Sequence, residues 1–294
     1  MSTRILVPVD RSSQSTAGLV YALESFPDAT IIALHVVDVG YDNYASVGTG
    51  ESLEDVQRRA GDRILERATE VASAVDRAVD PVLETGIPHR TIVEYAVEHD
   101  IDHVVMGSHG TSPIVRPFLG HVSEAVVRRV PVSTTIVPES RSALEQRTLP
   151  GRILAPVDGS AQSLAALEYA ASQFPDGEIT ILHAVSLPFE YDLDAIEGTY
   201  LEPLLEQRTE RGEAILEGAA DAVEDTDASI DGTELVYGTP DRAIVDYALE
   251  HEYDQIIMGS HGRSLPARII TGSIAETVAR RSPIPVTLVS GQSS

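Results

Sequence analysis

The segment with the clearest chemical potential is Gly259-Ser260-His261-Gly262, followed after nine residues by Gly272-Ser273. Its first glycine closes a strand pattern ending at Met258, and its last pair opens a helical pattern that continues Ile274-Ala275-Glu276. Glycines let backbone N–H groups come close to an anion, and successive amides form a phosphate-sized concavity. A helix N-terminus adds its positive dipole end, and the Ser273 hydroxyl adds a donor. The chemistry expected is therefore phosphate binding. Two ligand-free tight turns would use the same glycines; the placement after a strand and before a helix favours the anion. The spacing occurs a second time at Gly107, Gly110 and Gly120, with His121 and Val122 standing where Ser273 and Ile274 stand. His121 can donate to phosphate or simply fill space, Ser123 lies two residues on, and Pro113 and Pro117 stiffen the loop between. Arg116 and Arg268 hold matching places in that loop, either to pair a terminal phosphate or as solvated cations.

Elements that would position these residues follow from an internal repeat. Arg4-Ile-Leu-Val-Pro-Val-Asp10 returns as Arg152-Ile-Leu-Ala-Pro-Val-Asp158. Gly86-Ile-Pro-His-Arg90 returns as Gly238-Thr-Pro-Asp-Arg242, and Met106-Gly-Ser-His-Gly110 as Met258-Gly-Ser-His-Gly262. The expected organisation is a first domain over 1–139, a linker over 140–150 ending in Pro-Gly, and a second domain over 151–294. In each half, apolar runs alternate with helical patterns. The first half shows strands at Ile5 to Val9, Ile31 to Val37, Pro81 to Thr85, His103 to Met106 and Thr134 to Val137. Between them lie an Ala/Leu-rich helix capped by Ser12 or Ser13, a charged helix spanning roughly Glu51 to Val79, and a helix opened by Pro88. The last has Ile92, Val93, Ala96 and Val97 as its expected apolar face. Such alternation predicts an α/β chain of two tandem, doubly wound, five-stranded parallel-sheet domains of Rossmann-like type. Ligands then bind beyond the carboxyl ends of the strands, where the strand order reverses.

The arrangement G-x2-G-x9-G-S, the opening Ile153-Leu-Ala-Pro-Val-Asp-Gly-Ser160, the mid-domain Gly238-Thr-Pro240 and the terminal Pro283-Ile-Pro-Val-Thr-Leu-Val289 together resemble the ATP-binding subgroup of the universal stress protein family. The likeness runs through nearly the whole chain, twice. It implies an adenine nucleotide alpha hydrolase-like fold and a bound ATP or AMP, with magnesium as the companion ion of ATP. In that resemblance Asp158, following Pro156 and Val157, meets the ribose or base region. Ala184 and Val185 line the adenine pocket beside Met258. Gly259, Gly262, Gly272, Ser273 and Ile274 surround the phosphates. The matching positions of the first half are Pro8, Val9, Asp10, Val36, Met106, Gly107, Gly110, Gly120, His121 and Val122. From chemistry alone, an acid at a strand's carboxyl end suits ribose hydroxyls and equally suits a helix N-cap; both roles can hold together. The family also implies pairing through the last strand of each sheet. Thr134 to Val137 and Val286 to Val289 are then expected to form an intramolecular pseudo-dimer, with association of two chains left open.

Composition narrows the function. The chain carries 46 acidic and 21 basic residues, every basic one an Arg, for a net charge of −25. Such a surface repels nucleic acid phosphates and anionic lipid. It resembles the surfaces of proteins from salt-loving microbes, so a halophilic archaeal source is expected. Cysteine is absent, and the start lacks signal-peptide character, so a cytoplasmic location is expected. Nine histidines invite a metal reading, but His99 and His103 straddle a helix end and a strand, and Gln255 stands where His103 would recur. His109 and His261, inside the glycine loops, suit proton shuttling or loop filling. No catalytic triad order, Walker lysine loop or kinase signature occurs. Three functions compete: a nucleotide-binding stress or regulatory module acting through an unidentified signalling partner, at most a slow ATPase; an adenylyl transferase or pyrophosphatase, whose Ser-Gly-Gly or His-x-Gly-His signatures are missing; and a scaffold with a degenerate nucleotide site.

Overall fold

The computed structural model describes residues 3–38, 53–109, 119–138, 149–186, 202–260 and 272–290. The chain divides into two compact units, Met1–Arg147 and Thr148–Ser294. The first runs β1 (Arg4–Pro8), α1 (Ser13–Ser25), β2 (Thr30–Asp38), α2 (Leu53–Ser73), β3 (Asp80–Gly86), α3 (Pro88–Glu98), β4 (His103–Gly107), α4 (His121–Val127) and β5 (Ser133–Val137). The second runs β6 (Arg152–Pro156), α5 (Ala161–Gln173), β7 (Glu178–Val185), α6 (Glu202–Asp221), β8 (Ser229–Tyr237), α7 (Pro240–Glu250), β9 (Gln255–Gly259), α8 (Ser273–Arg281) and β10 (Val286–Val289).

Strand order in the first unit is β3-β2-β1-β4-β5, every pairing parallel. The second unit repeats it as β8-β7-β6-β9-β10, also parallel throughout. The chain works outward from the first strand of each unit, then returns to its other side. The strand order therefore reverses between β1 and β4, and between β6 and β9, which opens a crevice at the strands' carboxyl ends.

Period-two alternation explains how one sheet feeds two cores. In the first unit Leu6, Ile32, Leu34, Val104, Met106 and Ile136 join Ile92, Tyr95, Ala96 and Val126 of α3 and α4 in one buried cluster. Their strand neighbours Ile5, Val7, Ile31, Ala33 and Val105 are equally buried and point the other way, toward the face that α1 and α2 cover.

Two local expectations need correction, and a third is narrowed to one of its two candidates. Val97 is 58 % exposed, and Tyr95 takes the buried place beside Ile92 and Ala96; at 100° per residue, position 97 has rotated off the stripe that 92 and 96 define. The charged helix stops at Ser73, because Asp76 adopts a left-handed φ of 54° that an α-helix cannot continue through. Beyond that turn the Arg77 guanidinium donates to the carbonyls of Leu23 and Phe26 at 2.6 and 3.1 Å, tying the segment to the end of α1. Of the two candidate caps for α1, Ser12 is the N-cap, its hydroxyl accepting from the Ser15 N–H at 3.0 Å. Ser160 does the same for Ser163 at the start of α5, at 3.1 Å. Ser160→Ala is expected to lower the stability of the second unit by about 1 kcal/mol, read as a lower urea midpoint at unchanged slope.

Candidate functional site

The crest of the second unit is assembled from the ends of adjacent strands. β6 ends at Pro156; Val157 extends the pairing by one residue, its N–H donating to the Leu182 carbonyl at 2.8 Å. Asp158 follows, half-buried. Its Oδ1 accepts the Ser160 N–H at 2.9 Å. Neither a pure ligand group nor the N-cap itself, Asp158 thus braces the residue that caps α5. Gly159 can turn the chain there because its φ is 74°, a region glycine enters without strain. The first unit repeats the brace, with Asp10 Oδ1 accepting the Ser12 N–H at 2.8 Å, but has Arg11 at the turn.

Strand β9 supplies the other lip. Met258, 7 % exposed, and Gly259 close the strand. The Ser260 N–H then donates to the Val289 carbonyl at 3.0 Å, while the Ser260 carbonyl accepts the Gly272 N–H at 2.7 Å. That second bond joins the first arm of the glycine motif, at Ser260, to its last glycine, Gly272. Gly272 is the N-cap of α8 and makes no side-chain capping bond. The first helical bond runs from the Glu276 N–H to the Gly272 carbonyl. The amides of Ser273, Ile274 and Ala275 therefore lack intrahelical partners, as at any helix start, and the Ser273 and Ile274 side chains are exposed beside them. At the neighbouring strand end Val185 is buried and Ala184 half-buried, and the Val185 carbonyl accepts the Gly238 N–H at 3.0 Å.

In the first unit the same scaffold carries different groups. The Ser108 N–H donates to the Val137 carbonyl at 2.9 Å, and the Gly120 N–H to the Ser108 carbonyl at 2.8 Å. Pro8 and Val9 close the first strand run, Met106 is buried in the core cluster, and Val36 packs against that cluster half-buried. His121 and Val122 open α4, the His side chain exposed and the Val half-buried. Ser123, in the first turn of this helix, is 3 % exposed and donates to the Gly107 carbonyl at 2.9 Å. Gly107 also has a packing reason to be glycine: a Cβ there would sit 2.6 Å from the Gln14 carbonyl carbon of α1. His109 Nδ1 lies 2.9 Å from Ser108 Oγ. Gly110, Pro113, Arg116, Pro117, His261, Gly262 and Arg268 lie outside the described residues.

The two histidines weighed as metal ligands have local partners. The His99 ring stacks on Tyr95 at 3.8 Å, and His103 Nε2 meets Thr135 Oγ1 at 2.8 Å. Among the described residues no three His, Asp or Glu side chains converge as a metal site would require, and no helix is long and apolar enough to cross a membrane. Sequence reasoning passed over His35 and His183, which bond to the Val9 and Val157 carbonyls at the foot of the crevice. Their recurrence at one offset from Asp10 and Asp158 was the available signal.

The profile described as the universal stress protein family matches residues 1–138 and again 150–290. The chain belongs to the universal stress protein family. Its relationship to other universal stress proteins is of two kinds. One from Methanocaldococcus jannaschii is 33 % identical over 141 residues, which is 47 % of this chain and 81 % of that one. Another, from Mycolicibacterium smegmatis, is 24 % identical over 293 residues, 97 % of this chain and 96 % of that one. The crystal structure of a universal stress protein from Archaeoglobus fulgidus superposes with a TM-score of 0.66 at 24 % identity, covering 98 % of each chain. Tandem universal stress domains of the same fold are thus found end to end in other proteins.

Proposed function

We propose that the second unit binds an adenine nucleotide, ATP or AMP, at the carboxyl edge of β6 and β9, and that the protein serves as a nucleotide-responsive regulatory module. The observation that carries this reading is the 2.7 Å bond from the Gly272 N–H to the Ser260 carbonyl. It holds the uncapped start of α8 against the strand end at Gly259, so fixed amides and the Ser273 hydroxyl are offered to an anion. Asp158, across the reversal point, supplies an acceptor suited to ribose hydroxyls. Magnesium would be held by the phosphates and water. Among the described residues of the site none orders a nucleophile, base and acid for turnover, and the reading is one of binding and release with hydrolysis at most slow.

For the first unit we propose a weaker or degenerate site. Ser123 is turned to the Gly107 carbonyl, leaving His121 as the side chain at the start of α4. The test is mass spectrometry of small molecules released from undialysed protein, followed by titration with Mg-ATP. Release of an adenine nucleotide and saturation near one per chain are expected. Gly272→Val, which buries the amides under a branched side chain, is expected to weaken binding by at least about tenfold. Failure of the wild-type protein to saturate at millimolar Mg-ATP would overturn the nucleotide reading and leave the scaffold reading in its place.

A further inference from the structure

The two histidines at the foot of the crevices sit in the same bonding pattern. In the second unit, His183 Nδ1 donates to the Val157 carbonyl at 2.7 Å. The next N–H along the chain, that of Asp158, donates to Ser163 Oγ at 3.2 Å. One peptide plane, Val157–Asp158, is therefore gripped at its oxygen from β7 and at its nitrogen from α5. Its neighbour on the N-terminal side is pinned too, by the Val157 N–H on Leu182. The first unit reproduces the grip: His35 Nδ1 to the Val9 carbonyl at 2.7 Å, and the Asp10 N–H to Ser15 Oγ at 3.1 Å.

Each imidazole is held in turn. A Cβ added to Gly212 of α6 would lie 2.9 Å from His183 Cδ2, and one added to Gly61 of α2 would lie 2.9 Å from His35 Cδ2. A glycine on the long helix thus gives each ring its space, with Leu235 or Leu83 closing the same contact. Because a carbonyl oxygen only accepts, Nδ1 must carry the proton, which fixes the tautomer of a neutral ring.

We infer that His183 is a positioning residue: it fixes the Val157–Asp158 peptide and so aims the Asp158 carboxylate into the crevice, with His35 doing the same for Asp10. This rests on the nucleotide reading of the second unit. A peptide plane held at both ends cannot rotate, so the backbone from which the Asp158 side chain springs is fixed, and the Ser160 N–H on Oδ1 at 2.9 Å sets the side chain's own torsions.

The test compares Mg-ATP with Mg-2′,3′-dideoxy-ATP, which lacks the ribose hydroxyls, by calorimetric titration. Wild-type protein should favour ATP by about tenfold, and Asp158→Ala should lose that preference. His183→Leu, branched at the same carbon but without a donor, should lose it as well. His183→Asn should recover it, because the Asn Nδ2 donor stands close to the place of Nδ1. In an Asp158→Ala background, His183→Leu should cost no further affinity; a merely structural histidine would weaken binding there again. Thermal unfolding of each variant checks folding; if the Leu variant does not fold, His183→Gln, whose amide donor is displaced from the Nδ1 place toward that of Nε2, takes its place and should lose the preference. If wild-type protein binds no Mg-ATP, the nucleotide reading and this inference fall together. If wild-type protein discriminates and His183→Leu discriminates equally, or if the two substitutions add, the inference alone is overturned.

Discussion

Gly107→Val is expected to destabilise the first unit by roughly 3 kcal/mol, whether or not a nucleotide binds there. The added Cβ would meet backbone of α1 within 2.8 Å at three atoms: the Gln14 carbonyl carbon and oxygen and the Ser15 nitrogen. None of these is the movable end of a side chain, and α1 is itself pinned by its Ser12 cap. Relief requires shifting a helix against the sheet, which close-packed interiors resist. From the other side, Gly18 of α1 meets the Gly107 nitrogen at 3.2 Å by the same measure, so the two glycines form one close crossing. Urea unfolding at saturating and zero Mg-ATP checks it: the loss should be the same in both. An informative control is Gly218→Ala in α6, where a Cβ would meet nothing within 4 Å. It should gain about 0.5–1 kcal/mol from helix propensity. A Gly107→Val variant as stable as wild type would show that α1 yields easily.

His103 should make the first unit acid-labile. Complete burial lowers its pKa from 6.5 to about 3, and its Nε2 is engaged with Thr135 Oγ1. The sign follows from proton counting. Between pH 6.5 and 3 the unfolded chain binds a proton on this residue and the folded chain does not. Stability is therefore complete above pH 6.5 and declines as the pH falls toward 3, by about 1.4 kcal/mol per unit. Carboxylates contribute their own acid response, so the readout is a difference. His103→Gln, which installs the residue found at the matching position 255, cannot titrate. Gln255 is fully buried and donates to the Pro150 carbonyl at 2.8 Å. Urea midpoints of wild type and His103→Gln should diverge progressively below pH 6.5. Parallel curves down to pH 4 would show that the buried ring is protonated without penalty.

Most of the fold was legible because short apolar runs, serine caps and the Pro88 and Pro240 helix starts repeat twice at matched spacing. Periodicity failed where a stripe was drawn one residue too wide, at Val97, and where a single left-handed residue, Asp76, cut a helix short. The crevice was legible as a place, since Asp158, Gly259 and Gly272 had to gather at strand and helix ends. What each residue does there was less so. A glycine reads the same in sequence whether it makes room for an anion or for a helix, and Gly107 makes room for a helix. An aspartate after a strand reads as ligand or cap; Asp10 and Asp158 are not the caps but brace the serine that caps. His35 and His183 carried no signal as single letters, because a histidine within an apolar strand resembles core filling. Their meaning lies in a bond to a carbonyl 26 residues away.

The central place of β1 has a consequence for how the chain must be made. β1 acquires its first neighbour, β2, almost at once, but its second, β4, begins only at His103. A nascent chain on the ribosome therefore carries an open β1 border through the synthesis of everything between. The next strand with nearly the same letters is β6, which differs from β1 only by Ala155 where β1 has Val7. Translation separates the completion of β4 from the emergence of β6 by several seconds, longer than a domain of this size and topology usually needs to close. Order of manufacture thus sorts two look-alike strands that a refolding chain, diluted whole from denaturant, would meet at the same instant.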